Sequence, residues 1–159
     1  MTITKTLLGI LLATAISIPM MAADNDLVVV VNKANTATNL SKSQLRKIVL
    51  GEQASWPGGA KITIILQAPG SAERDGVLHS ICRMSEDDYN QHQLHATFSG
   101  ETNLQPKVAT SAQAARQLVA STPGAIGFLR FGDVNDTVKA ISVDAASAGQ
   151  PDYKLKLGK

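Results

Sequence analysis

The stretch Ile62-Thr63-Ile64-Ile65-Leu66-Gln67-Ala68-Pro69-Gly70-Ser71-Ala72-Glu73-Arg74 carries a β-branched apolar run into a Pro-Gly turn and out into the start of a helix. A strand followed directly by a helix is the repeating unit of an α/β layer fold. The same junction is chemically distinctive. A helix start leaves backbone N–H groups unpaired at the positive end of the dipole, which suits an anion. Ser71 adds a hydroxyl and Arg74 a guanidinium, the donor types that phosphate or sulfate takes. Ser71 also fits an N-cap worth about 1 kcal/mol, and a capping hydroxyl still has its own proton to give. Glu73 in the first turn favours the dipole by roughly 0.3–1 kcal/mol and so competes with a bound anion. A carboxylate there repels sulfate, yet it accepts the proton of monohydrogen phosphate, and Glu73 or Asp75 is placed to make that distinction.

Outward from this junction, strand and helix signals alternate. Leu27 to Val31 is a continuous apolar run ending at Asn32, as in a strand buried on both faces. Ser41-x-x-Gln44 is a capping box ahead of Leu45, Ile48 and Val49, with Gly51 as the stop. Val77, Leu78, Ile81 and Cys82 share one face of the helix after Ser71. Ser85-Glu86-Asp87-Asp88 opens a helix to about Thr97, Gly100 to Lys107 reads as a loop, and Thr110-x-x-Gln113 caps a further helix that Pro123-Gly124 ends. Strands are expected over 125–131 and 137–143. The tail 153–157 alternates as an edge strand does, with lysines outward. The expected fold is α/β: a mixed sheet flanked by helices, in one domain.

Residues 1–22 read as a signal peptide. Lys5 supplies the positive end, Leu7 to Ile18 is an apolar run short of a bilayer span, and Pro19-Met20-Met21-Ala22-Ala23 is a small-residue cleavage region. Residues 23–159, about 136 after cleavage, suffice for one domain with its own core. No second long apolar stretch follows, so no membrane insertion is expected of the mature chain. The single cysteine, Cys82, lies far from the cleavage region, which argues against a lipid anchor there and rules out an internal disulfide. A periplasmic location follows from this reading.

Without Lys5 the chain carries 14 basic residues against 13 acidic, so it offers no strong field to nucleic acid. Catalytic signatures are missing too: there is no Gly-x-Ser-x-Gly elbow and no phosphate-cradling Gly-Lys loop. No cofactor motif is present. His92 and His95, spaced i, i+3 with His79 more distant, make a weak metal pattern without a supporting cysteine or carboxylate cluster. Trp56 in its Pro-Gly turn reads as loop packing, and Cys82 as a small buried hydrophobe.

The order of five segments carries a family resemblance. These are Ile48-Val49-Leu50-Gly51, Trp56-Pro57-Gly58-Gly59, the strand with Gly70, Ser71 and Arg74 behind it, Phe98-Ser99-Gly100, and Thr122-Pro123-Gly124-Ala125-Ile126-Gly127-Phe128. Together, over about Leu27 to Leu129, they resemble the substrate-binding proteins of phosphate ABC transporters, and specifically short, single-lobe relatives of the type II periplasmic-binding-protein fold. The resemblance implies a periplasmic phosphate or oxyanion binder with an ABC transporter permease or a periplasmic sensor as partner. Its ligand-binding residues would be Gly70, Ser71, Ala72, Glu73 and Arg74, with Asn32 added from the end of the first strand because ligands sit at strand ends in open α/β sheets. The chain departs from the family pattern at Gln67, where a strand-end Arg is expected, at Ala72 in place of Gly, and at Glu73 in place of a hydroxyl residue. Full-length members hold phosphate between two lobes. Charged hydrogen bonds contribute roughly 1.5–3 kcal/mol each, so losing three donors with an absent lobe weakens binding about a thousandfold or more. The alternative expectation is an interaction module of the same fold that no longer binds a ligand.

Overall fold

The computed structural model describes residues 23–101 and 104–159, so the expected leader lies outside the described residues. Strand β1, Leu27–Val31, is buried along its whole length, and a two-residue strand β2, Asn39–Leu40, follows. Helix α1, Lys42–Val49, starts at the Ser41 capping box and buries Leu45, Ile48 and Val49. Next come β3, Thr63–Gln67, and α2, Ala72–Gly76, which continues as a π-helical segment, Val77–Cys82, ended by Arg83 at φ 57°. Helix α3, Glu86–Ser99, runs from Ser85 to Gly100. After it lie β4, Lys107–Ala109, α4, Ala112–Ser121, and β5, Ala125–Arg130. A short 3-10 turn over 131–133 leads to β6, Lys139–Ala140, and β7, Ser142–Val143.

Five strands form one mixed sheet in the order β4-β3-β5-β1-β6. β3 runs parallel to β4 and β5, whereas β1 runs antiparallel to β5. Side-chain alternation divides the core between the two faces. Val29, Val31, Ile64 and Leu66 meet α1, the π-helical segment and Tyr89 of α3 on one side. Val28, Val30 and Ile65 meet Ala115 and Val119 of α4 on the other. Each large side chain so buried stabilises the fold by about 1.5–3 kcal/mol. At Gly127 α4 comes so close that a Cβ would lie 2.7 Å from the Val119 methyl, which explains a glycine in the middle of a buried strand.

Four local expectations change. The cap of α4 is Ser111 rather than Thr110, its side chain accepting from the Ala114 amide. The strand expected over 137–143 is two short pieces in different sheets. The loop expected over 100–107 ends in the edge strand β4, too short to show a period of its own. The tail is no edge strand. It makes one bridge, Asp26 to Lys156, and is held by the burial of Tyr153 and Leu155, whose hydroxyl and carbonyl respectively bond the Leu27 carbonyl and amide.

Candidate functional site

The C-terminal ends of β3 and β5 lie at the same sheet edge, because the two strands are parallel. Ser71 there is the N-cap of α2. Its hydroxyl accepts from the Arg74 amide at 3.2 Å, and its carbonyl accepts from the Asp75 amide at 3.0 Å. The first-turn amides of Ala72 and Glu73 have no carbonyl within the helix to bond, and no acceptor for either is found among the described residues. Gly70 takes φ 84°, a left-handed turn that a side chain would strain, and this aims the chain into the helix. The corner therefore presents a half-exposed hydroxyl and two open amides.

Its charges are arranged otherwise than the sequence suggests. Arg74 was expected to neutralise an anion, but its guanidinium turns inward, is 7% exposed, and is gripped in bidentate fashion by Glu86, with Nε to Oε2 at 2.8 Å and Nη2 to Oε1 at 2.7 Å. Its Nη1 reaches the Gln67 carbonyl at 3.4 Å, and the group lies 5.6 Å from the centre of the Tyr89 ring. With this cation fully engaged, Arg74 belongs to the core of the corner and not to its open surface. Burial pushes the Tyr89 phenol up to about 12, the Cys82 thiol adding to the rise and Arg74 opposing it.

Glu73 is likewise buried, and its carboxylate meets Arg130 Nε at 3.4 Å. Arg130, at the end of β5, keeps 48% of its side chain exposed, and its two terminal amino groups have no protein partner among the described residues. Arg130 is the cation that sequence reasoning missed. It lies 57 residues from Glu73, and only the parallel pairing of β3 with β5 brings it to this edge. Gln67, in the place of the expected strand-end Arg, is buried with its Nε2 unpaired at the same strand end.

Asn32 does not join the corner. Because β1 is antiparallel to β5, its C-terminal end lies at the opposite edge, beside Ala125. There the Asn32 amide donates to the Val119 and Ala120 carbonyls at 3.0 and 2.9 Å and accepts from the Ala34 amide, closing the end of α4. Trp56 lies at that edge too, its indole donating to the Gly124 carbonyl at 2.9 Å. The histidines do not converge: His92 Nε2 lies 3.1 Å from the Leu50 carbonyl and His79 Nδ1 2.9 Å from that of Asp75. Among the described residues no group of three His, Cys, Asp or Glu could hold a metal ion, and no helix is long and apolar enough to cross a membrane.

Fold and corner together define a one-lobed α/β domain of the periplasmic-binding-protein type. The chain belongs to the PBP superfamily domain family, whose model matches residues 13–157. It is similar to an ABC-type phosphate transport receptor from Vibrio cholerae, at 25% identity and a TM-score of 0.67, over 84% of this chain and 54% of that one. A protein from Clostridium perfringens, described as a phosphate ABC transporter substrate-binding protein and holding phosphate, matches at 21% identity and 0.67 over 85% and 56%. PstS from Borrelia burgdorferi matches at 18% and 0.66 over 84% and 55%. The chain spans about half the length of these structures, as a single lobe does.

Proposed function

We propose that this chain is an exported phosphate-binding protein of the ABC-transporter receptor type, holding the anion at the corner where β3 gives way to α2. Residues 1–22 direct it to the periplasm, where it serves phosphate uptake or sensing beside a transporter permease or a sensor. The observation that carries the reading is the pair of open amides on Ala72 and Glu73 beside the Ser71 hydroxyl. The likeness to phosphate receptors over most of the chain supports it. Arg130 supplies the charge, through the amino groups that Glu73 leaves free. The role is capture: the corner holds donors for an anion, and the family consists of binding proteins.

With only one lobe's donors, affinity is modest, with a dissociation constant on the order of a millimolar. Calorimetry with inorganic phosphate tests this, with Ser71→Ala and Arg130→Ala each expected to weaken binding tenfold or more, ~1.4 kcal/mol. One observation favours the second reading, an interaction module without a ligand: the inner cation Arg74 is already neutralised by Glu86, and Arg130 already meets the Glu73 carboxylate. Absence of heat at millimolar phosphate would favour that reading instead.

A further inference from the structure

Helix α3 is apolar on two sides. Tyr89 and Ala96 face the core, while Leu94 and Phe98, spaced i, i+4, form a second stripe that is 58% and 87% exposed. Across from this stripe stands Val108 of β4, 54% exposed. These are the large hydrophobic side chains most open to solvent among the described residues, and all of them line one groove of about 460 Å³. Pro106 and the Tyr89 ring complete its apolar wall, and Gln93 stands within it. Scattered exposed hydrophobics need no explanation, but their concentration on one groove marks a contact surface.

The groove also runs along a sheet edge. β4 is the end strand of the five-stranded sheet and, among the described residues, pairs on one side only, with β3. The Ala109 carbonyl accepts from Ala68, so Lys107 and Ala109 direct their backbone groups toward β3. By alternation the N–H and C=O of Val108 face outward, an open invitation to another strand.

We infer that the groove between α3 and β4 is the interface of a two-fold homodimer, in which the β4 edges of two copies pair antiparallel about Val108 and each Phe98 enters the groove of the other copy. Charge selects a second copy over a charged partner. In a two-fold interface every group meets the same surface on its mate, so an uncompensated charge would repel its own image. The groove is lined by neutral residues except for Arg74, and that guanidinium is already held by Glu86. Lys107, the exposed cation on β4, falls opposite Ala109 when the pairing is centred on Val108, which keeps the two lysines apart.

Sedimentation equilibrium of the purified protein tests the inference. The expected mass is twice that of the monomer at micromolar concentration. Phe98→Glu places like charges in both grooves, and Val108→Pro removes the outward N–H. Each is expected to weaken dimerisation by at least about thirtyfold, ~2 kcal/mol. Phe98 is almost fully exposed, so Phe98→Glu should leave the thermal melt of the monomer unchanged, separating loss of contact from loss of fold. A monomer at all concentrations up to the hundred-micromolar range, or a dimer that persists in both variants, overturns the proposal. Neither result bears on the phosphate titration, since Ser71 and Arg130 do not line the groove.

Discussion

Arg74→Ala tests whether Arg74 is a structural cation of the corner, distinct from Arg130, the cation proposed to meet the anion. The wild-type guanidinium makes two charge-assisted hydrogen bonds to Glu86, a longer one to the Gln67 carbonyl, and a stacking contact with Tyr89. Removing one member of a buried ion pair costs about 3–5 kcal/mol, because its partner is left charged and alone. Glu86 is 29% exposed, so water takes over part of its solvation and the expected loss falls to about 2–3 kcal/mol. For a domain of this size that lowers the melting temperature by about 6–10 °C. Urea unfolding followed by circular dichroism measures it. A double-mutant cycle with Glu86→Gln should return a coupling of about 1–2 kcal/mol, because each single change removes the same pair. Arg130→Ala, losing a half-exposed side chain and one long contact to Glu73, should cost under about 1 kcal/mol and act on phosphate instead. A loss below about 0.5 kcal/mol for Arg74→Ala, or a cycle that closes additively, refutes this division of labour.

Three further outcomes are expected. Asn32→Ala strips a donor from two carbonyls at the end of α4 and an acceptor from Ala34, and should lower the unfolding free energy by about 2–3 kcal/mol while leaving phosphate titrations unchanged. Stability should fall as pH rises from about 9 toward 12. Burial raises Cys82 from 9.0 to about 12, with Arg46 opposing, and Tyr89 from 10.0 to about 12, so above pH 9 the folded chain retains protons that the unfolded chain has released; urea midpoints against pH read the slope. Gly76→Ala forces a Cβ to within 2.6 Å of the Lys156 carbonyl, so the tail over α2 should loosen, at a cost of about 1–3 kcal/mol and with earlier proteolysis at the C-terminus.

What could be read along the chain was whatever is decided within a few residues. Ser41, Ser71 and Ser85 announce their helices because a cap and its first turn are neighbours in sequence. The Leu27–Val31 run announces a two-sided burial that the structure bears out. The direction of that strand has no local signature. The idea that Asn32 would meet Ser71 assumed that the two strand ends share an edge, and a single antiparallel pairing places them at opposite edges. Arg74 illustrates the same limit on a smaller scale. Its spacing from Ser71 is right for an anion, but the capping sequence that starts α3 also delivers Glu86 to its guanidinium.

The two Arg–Glu pairs at this corner have opposite consequences for a ligand. In the inner pair both hydrogen bonds are short and the arginine is sealed from water, so an entering anion would have to leave Glu86 uncompensated to gain Arg74. In the outer pair the contact is a single one at 3.4 Å on an arginine open to solvent. An anion can take the free amino groups of Arg130 without displacing Glu73 at all, and Glu73 then acts as a fixed negative neighbour whose repulsion grows with ligand charge. Monohydrogen phosphate and sulfate carry the same double negative charge, but only monohydrogen phosphate has a proton to donate to the carboxylate, which turns a repulsive contact into a hydrogen bond. The expected order is therefore monohydrogen phosphate above sulfate, and Glu73→Gln should narrow the gap by raising sulfate affinity more than phosphate affinity. Equal affinities in the unaltered protein, measured by competition, would contradict it.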